Sequence, residues 1–264
     1  LTDEVAGLLQ DVPLHIWFFA LADKANCMNR YWHDIQPDAD LHFFVDGYVE
    51  LLPDSFSQLV NAHEQLKKSG KPTAHAYSGI PRNGRSSALL RQQMTTNGGI
   101  HGNLFMLPAA TLDLIKQNNF YLPLGIYRTD PTMAAVMCFD FHPESCKWKT
   151  DLVQVVPTAG WYFRNLRWYS YNDLKTHLLR LRRQALGSIE NKALRQLFSI
   201  EKQPVNTMPD TASELCLNYL ARCPLSWMNY LRQPLLILAT RDLAQKDLQK
   251  DLLSNKKMEY RKLL

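Results

Sequence analysis

Two aspartates sit where a carboxylate can do chemistry. Asp46 follows the apolar run Leu41-His-Phe-Phe-Val45 and precedes Gly47. A run of that length reads as a strand, and open α/β sheets bind ligands at the carboxyl ends of strands. A carboxylate there offers hard oxygen ligands to a divalent cation. The same Asp-Gly pair is also an ordinary strand-to-turn signal. Asp130 lies in Tyr127-Arg-Thr-Asp-Pro131, ahead of the helical stretch Thr132-Met-Ala-Ala-Val136. Asp before Pro is a natural helix start, which explains it structurally. A carboxyl at a helix start also has a depressed pKa, which suits a base that must be ionised before it acts. Gly98, Gly99 and Gly102 allow backbone to approach a ligand closely.

Trp161, Tyr162, Trp168, Tyr169 and Tyr171 gather near Arg164 and Arg167. Aromatic faces suit sugar rings, and guanidinium groups suit phosphates. Packing between two parts of the chain accounts for the same cluster. The histidines show no H-E-x-x-H pattern, and Gly-x-Ser-x-Gly and the P-loop pattern are absent. That argues against a zincin protease, a serine hydrolase and a P-loop NTPase.

The elements that must position these residues alternate in the first part of the chain. Leu14 to Phe19 and Leu41 to Val45 read as strands. Asp23 to Ile35 has helical spacing, and Pro53-Asp54-Ser55 opens a helix that Gly70-Lys71-Pro72 breaks. The alternation predicts an α/β layer with a mainly parallel sheet. From Tyr171 onward Leu174, Leu178, Leu181, Ala185 and Ile189 recur at helical spacing, and Gly187 is a candidate kink. Leu215 to Leu220, Trp227 to Leu231 and Leu243 to Leu253 continue the helical pattern, and Gln203 to Pro209 is the best linker candidate.

Charge divides the chain in the same way. The 264 residues carry a net +5. Residues 1–160 hold 12 Lys/Arg against 16 Asp/Glu, a net −4, and residues 161–264 hold 18 against 9, a net +9. The expected organisation is an α/β domain over 1–160 and a basic helical region over 161–264. The basic region suits anionic lipid or an anionic acceptor. No nucleic-acid motif accompanies the charge, so no nucleic acid is expected as partner. The five cysteines are odd in number and lack C-x-x-C spacing, which predicts free thiols in a reducing compartment. The first residues show no basic start and no apolar signal core, so no secretion signal is expected. Without an initiator Met, the chain is expected to be part of a longer product.

Four stretches in order carry a resemblance: Lys24-Ala-Asn-Cys-Met-Asn29, Phe43-Phe-Val-Asp-Gly-Tyr-Val49 with Pro53-Asp54, Gly99-Ile-His-Gly-Asn-Leu-Phe105, and Tyr127-Arg-Thr-Asp-Pro131. Together they resemble the family 2 glycosyltransferases, over residues 1–145. The resemblance implies a GT-A-like fold, Rossmann-like, with a helical C-terminal extension. It implies inverting transfer of a sugar from a nucleotide sugar, most plainly a UDP-sugar, to a hydroxyl of a glycan or lipid-linked acceptor. It assigns Asp130 as general base and Asp46 to Mn²⁺ or Mg²⁺ and the donor diphosphate. Lys24, Asn29 and Gly102 fall on the donor side, and His101 and Asn103 near sugar hydroxyls. Thr2-Asp3-Glu4 looks like the family's Ser-Thr-Asp helix start, which makes Asp3 a donor contact and places three earlier elements before residue 1.

The chain departs from the pattern at the second metal acid, where Tyr48 stands. Arg82, Arg85 or Arg91 would then meet the phosphates instead of a metal. Arg164-Asn-Leu-Arg-Trp168 keeps the Arg167-Trp168 pair of the polymer-building members but lacks their Gln. The implied setting is bacterial cell-surface polysaccharide assembly, in the cytoplasm at the inner face of the plasma membrane. The competing expectation is an inactive GT-A-like module that binds a glycan or partner protein.

Overall fold

The structure is a computed structural model, and it describes residues 17, 19, 21–84, 87–163, 171–232 and 234–247. The predicted strand at 14–19 and the residues Asp3, Arg85, Arg167 and Trp168 lie largely or wholly outside that set. Elements alternate as the sequence suggests. Helix α1 (Lys24–Arg30) runs into a π turn, Tyr31–Ile35. Strands β1 (Leu41–Val45) and β2 (Val49–Leu51) follow, then α2 (Ser55–Lys68) and β3 (Ala76–Pro81). Next come α3 (Ser87–Asn97), β4 (Leu104–Pro108), α4 (Ala109–Gln117), α5 (Thr129–Cys138) and β5 (Val153–Phe163). The chain then turns helical: α6 (Tyr171–Leu194), α7 (Ala212–Arg222), α8 (Trp227–Arg232) and α9 (Leu235–Asp247).

The fold class is α/β, but the sheet is not mainly parallel. Its order is β1-β4-β3-β5-β2. β1 with β4, β4 with β3, and β5 with β2 are antiparallel, and β3 with β5 is parallel. Alternation of elements misleads here because β1 and β2 are joined by the turn Asp46–Tyr48 alone, with no crossover helix between them. That turn has a geometric consequence. Four residue steps span at most about 14 Å, whereas the edges of a flat five-stranded sheet stand about 19 Å apart. The sheet therefore curls. The middle of β5 changes register against β3 between Ser78 and Ile80, and its far end pairs Trp161 with Leu51.

Two apolar layers sandwich the sheet. One gathers Ala25, Met28 and Trp32 of α1 and its π turn, Phe105 and Leu107 of β4, and Met133, Val136 and Met137 of α5. Ala193, Leu194, Phe198, Val205, Ala212 and Leu215 from the C-terminal part complete the same cluster. The other packs Leu59 of α2 on Tyr77, Leu104, Met106 and Trp161. Each fully buried large side chain contributes about 1.5–3 kcal/mol. β3 and β4 are buried along their whole lengths, as central strands must be. The predicted linker is packed: Val205 is buried within the first layer. The charge boundary at residue 160 falls inside β5. Gly187 does not interrupt α6, which runs through it.

Candidate functional site

The site forms where β1 ends. Asp46 leaves the strand, and its N–H reaches the Asn103 carbonyl at 3.4 Å, at the entrance of β4. That contact brings the 101–103 turn beside Asp46. The start of α5 brings in Asp130, and the start of α1 brings in Lys24. Lys24 Nζ lies 3.1 Å from Asp46 Oδ1 and 3.7 Å from Asp130 Oδ1. Gly102 N donates to Asp130 Oδ2 at 2.7 Å, and Thr129 Oγ1 donates to Asp130 Oδ1 at 2.9 Å. Four stretches separated in sequence thus meet around one ammonium group.

Asp130 does not act as the helix cap. α5 begins at Thr129, with Arg128 at the cap position and no side-chain cap. The carboxylate is turned out of the helix toward Gly102 instead. Gly102 has to be glycine: an added Cβ would lie 2.5 Å from Asp130 Oδ1, 2.8 Å from Oδ2, and against Lys24 Nζ. Backbone and carboxylate share a space that no side chain can enter.

The other side of Asp46 is closed by Tyr48 and Asn103. Tyr48 Oη donates to Asp46 Oδ2 at 3.2 Å. The amide orientation of Asn103 that gives each atom a complementary partner has Nδ2 donating to Asp46 Oδ2 and Tyr48 Oη, both at 2.9 Å. Its Oδ1 then accepts from Trp161 Nε1 at 2.8 Å. The Tyr48 ring is exposed, but its hydroxyl end turns inward. Burial of that end, with the Asp46 charge beside it, pushes its pKa up to about 12. Tyr48 is therefore a neutral donor at physiological pH.

His101 completes the floor. Its ring lies tilted against Trp161, centroids 4.8 Å apart. Its N–H donates to Ser78 Oγ, and its Nδ1 accepts from Asn103 N at 3.3 Å. Burial lowers the His101 pKa, despite the opposing charge of Asp130. The ring is neutral, and its Nε2 carries the proton.

Every carboxylate oxygen of Asp46 and Asp130 already has a protein donor. The two acids converge on an ammonium, and the position of a second metal acid holds a hydrogen-bond donor. No cluster of three or more His, Cys, Asp or Glu side chains suited to a metal occurs among the described residues. This donor set does not fit the divalent cation that the resemblance implies.

Two predicted site residues have other work. Asn29 is buried, and its amide makes two bonds to Leu122, Nδ2 to O and Oδ1 from N, both 2.9 Å. It fixes the chain ahead of α5 and leaves little for a donor to contact. Arg82 Nη2 donates to the carbonyls of Pro157 at 2.7 Å and Thr158 at 3.3 Å. It braces the middle of β5, and none of its described contacts is with the cluster. A groove of about 410 Å³ lies between α2 and β5 and is lined by Gln58, Asn61, Gln65, Lys71, Gln154 and Thr158. It contains no site residue.

The sequence did not single out Glu190. It is wholly buried on α6, and its two oxygens accept from Tyr127 N at 3.0 Å and Arg128 N at 2.9 Å. Gly187, about one turn earlier, lets the helix approach: a Cβ there would lie 2.5 Å from Arg128 Nε and 3.0 Å from Tyr127 Cδ1. Asp23 Oδ2 accepts from Gly125 N at 2.9 Å, and Leu124 exchanges backbone bonds with Asp210 and Ala212. The irregular segment 122–128 is thus held from several sides before it delivers Asp130. An acid next to the apolar stripe position Ile189, with a glycine three residues before it, is the trace this tie leaves in the sequence.

Compared with known proteins, the chain matches no protein-family model and no curated protein.

Proposed function

We propose that this protein is an inverting glycosyltransferase of GT-A-like architecture. It moves a sugar from a nucleotide-sugar donor to a hydroxyl of a glycan or lipid-linked acceptor. The observation that carries the proposal is the meeting of Lys24, Asp46, Gly102 and Asp130. Those residues come from the four stretches that resemble family 2 glycosyltransferases; the β1–β4 register sets Asp46 beside the 101–103 turn, and the starts of α1 and α5 add Lys24 and Asp130.

The chemistry follows from the groups present. Asp130 takes the proton of the acceptor hydroxyl. The freed oxygen attacks the anomeric carbon from the face opposite the donor phosphate. The carbon–oxygen bond to the phosphate breaks, and the nucleoside diphosphate leaves with the electron pair. Gly102 N and Thr129 Oγ1 orient the Asp130 carboxylate. His101 Nε2–H, on a ring backed by the buried Trp161, suits a sugar hydroxyl.

The basic helices suit an acceptor held at an anionic lipid surface. Lys175, Arg180 and Arg183 lie on the exposed half of α6, with Leu178 and Leu179 also exposed. Trp227, Met228, Ile237 and Leu238 are exposed on α8 and α9. No described helix is long and apolar enough to cross a membrane.

The test is a panel of UDP-, GDP- and CMP-sugars scored by thermal shift and by release of nucleotide. One donor should raise the unfolding temperature, because it binds only the folded state. Asp130→Asn should keep that shift and lose turnover by about 10²- to 10⁴-fold. Its amide oxygen still accepts from Gly102 N, so stability should hold. Tyr48 in the second acid position favours one other reading, an inactive module of the same fold that binds a glycan or partner protein. Absence of any nucleotide shift would favour that reading.

A further inference from the structure

We propose that the donor diphosphate is held without a divalent metal, by Lys24 in the place a cation would take. The inference rests on the glycosyltransferase reading above and specifies how its donor binds.

Three observations carry it. First, the ammonium is built in. Lys24 Nζ sits between Asp46 and Asp130, and the glycine at 102 leaves it room that any Cβ would remove. Second, each carboxylate oxygen already has a protein donor. Asp46 Oδ2 receives Tyr48 Oη and Asn103 Nδ2, and Asp130 Oδ2 receives Gly102 N. A hard cation would have to displace several of these donors at once to gain its oxygen ligands. Third, the ammonium is accessible. Its side chain is 41% exposed. An ammonium has three donors; one bonds Asp46 at 3.1 Å, and Asp130 at 3.7 Å is an ion-pair neighbour only, so a donor remains for a ligand. Two carboxylates and one ammonium leave the cluster at −1, so the diphosphate must meet the ammonium on its exposed side, away from the acids.

The chemistry balances without a metal. As the anomeric bond breaks, negative charge grows on the phosphate oxygens. The ammonium stabilises it as a fixed charge, with no bond made or broken to it.

The experiment measures binding of UDP, GDP and CDP by calorimetry, in EDTA and in Mn²⁺, for wild type, Lys24→Met and Lys24→Arg. Circular dichroism and unfolding temperature confirm that each variant is folded. One nucleoside diphosphate should bind in EDTA, with an affinity that Mn²⁺ changes less than about threefold. Lys24→Met should weaken it about 10- to 100-fold in EDTA, and Lys24→Arg should restore part of the loss. In Lys24→Met the two carboxylates face each other without a counter-charge, so that variant should gain Mn²⁺-dependent binding. Wild-type binding that requires Mn²⁺ overturns the proposal while leaving the glycosyltransferase reading intact. Metal-independent binding that Lys24→Met leaves unchanged overturns it too. No binding of any nucleoside diphosphate in either condition overturns the glycosyltransferase reading and this proposal with it.

Discussion

Taken one residue at a time, the site is a set of mutually fixed positions. Gly102 is the clearest. Its backbone N–H orients Asp130, and its missing side chain makes room for Lys24. Gly102→Ala should cost about 1–3 kcal/mol of overpacking. It should cost far more in turnover, because the groups that must move are the base and its ammonium neighbour. Denaturant unfolding read beside turnover checks this. A variant with wild-type turnover would show that the 101–103 turn can yield. Asp46, Lys24, Gly102 and Asp130 were all legible in the sequence, because each sits in a short motif with a chemical reason. Tyr48 was legible only as a departure. Its position as a neutral donor to Asp46 needed the geometry of the turn. The backbone bonds of Asn29 and Arg82 were not legible, for a common reason. A polar side chain beside a motif is as useful for holding backbone as for holding ligand, and spacing does not separate the two uses.

Among the elements, α1, α2 and α5 to α8 were legible, whereas α3 and α4 were not read, α9 begins earlier than its apolar spacing suggested, and the sheet was misjudged. α1 and α2 begin and end where capping and breaking residues stand, and β1 stops at Asp46. β3 and β5 escaped notice because they carry no clean alternation: β3 is buried throughout, and β5 has Pro157 and Gly160 within it. Strand direction was misjudged because pairing is a long-range property. The turn that follows α5 shows how such long-range ties act. Asp140 has a φ of 55° and Phe141 one of 62°, both left-handed. Asp140 Oδ1 meets His75 Nε2 at 2.8 Å, and Oδ2 meets Lys149 Nζ at 3.4 Å. Burial raises the Asp140 pKa, but those two partners outweigh it and hold the pKa below its usual 3.8. A carboxyl depressed in the folded state stabilises above its unfolded pKa and loses that contribution as pH falls through the folded one. Asp140→Asn is a fair probe, since Asn tolerates left-handed backbone. The partly exposed pair should be worth about 1 kcal/mol or less. The variant should melt below wild type at about pH 7, and the gap should close as pH drops below 3.8. A gap independent of pH would show that the ion pairs do not stabilise this turn.

In the molecule as a whole, the acidic and basic parts share one core. Ala193 and Leu194 of α6 pack in the same cluster as Phe105 and α5. Glu190 adds a polar tie, and its removal tests how far the parts depend on each other. Glu190→Leu orphans two backbone N–H groups, each costing about 1–3 kcal/mol. It should also loosen the segment that delivers Asp130. Turnover should fall further than donor affinity, with Glu190→Gln, which keeps one acceptor oxygen, falling between. Unfolding by denaturant and the split between the two kinetic parameters check this. Equal loss in both variants would show that Glu190 is structural only. The tie was hidden in the sequence because the charge pattern draws the eye to a boundary near residue 160, while the chain crosses it with a strand, a helix and a buried acid. That crossing constrains inheritance. The segment that presents Asp130 is gripped by α1 on one side and by α6 on the other. A recombination event that exchanged the helical part for another would carry away half of the grip. The part holding the motifs and the part holding none of them therefore have to travel together.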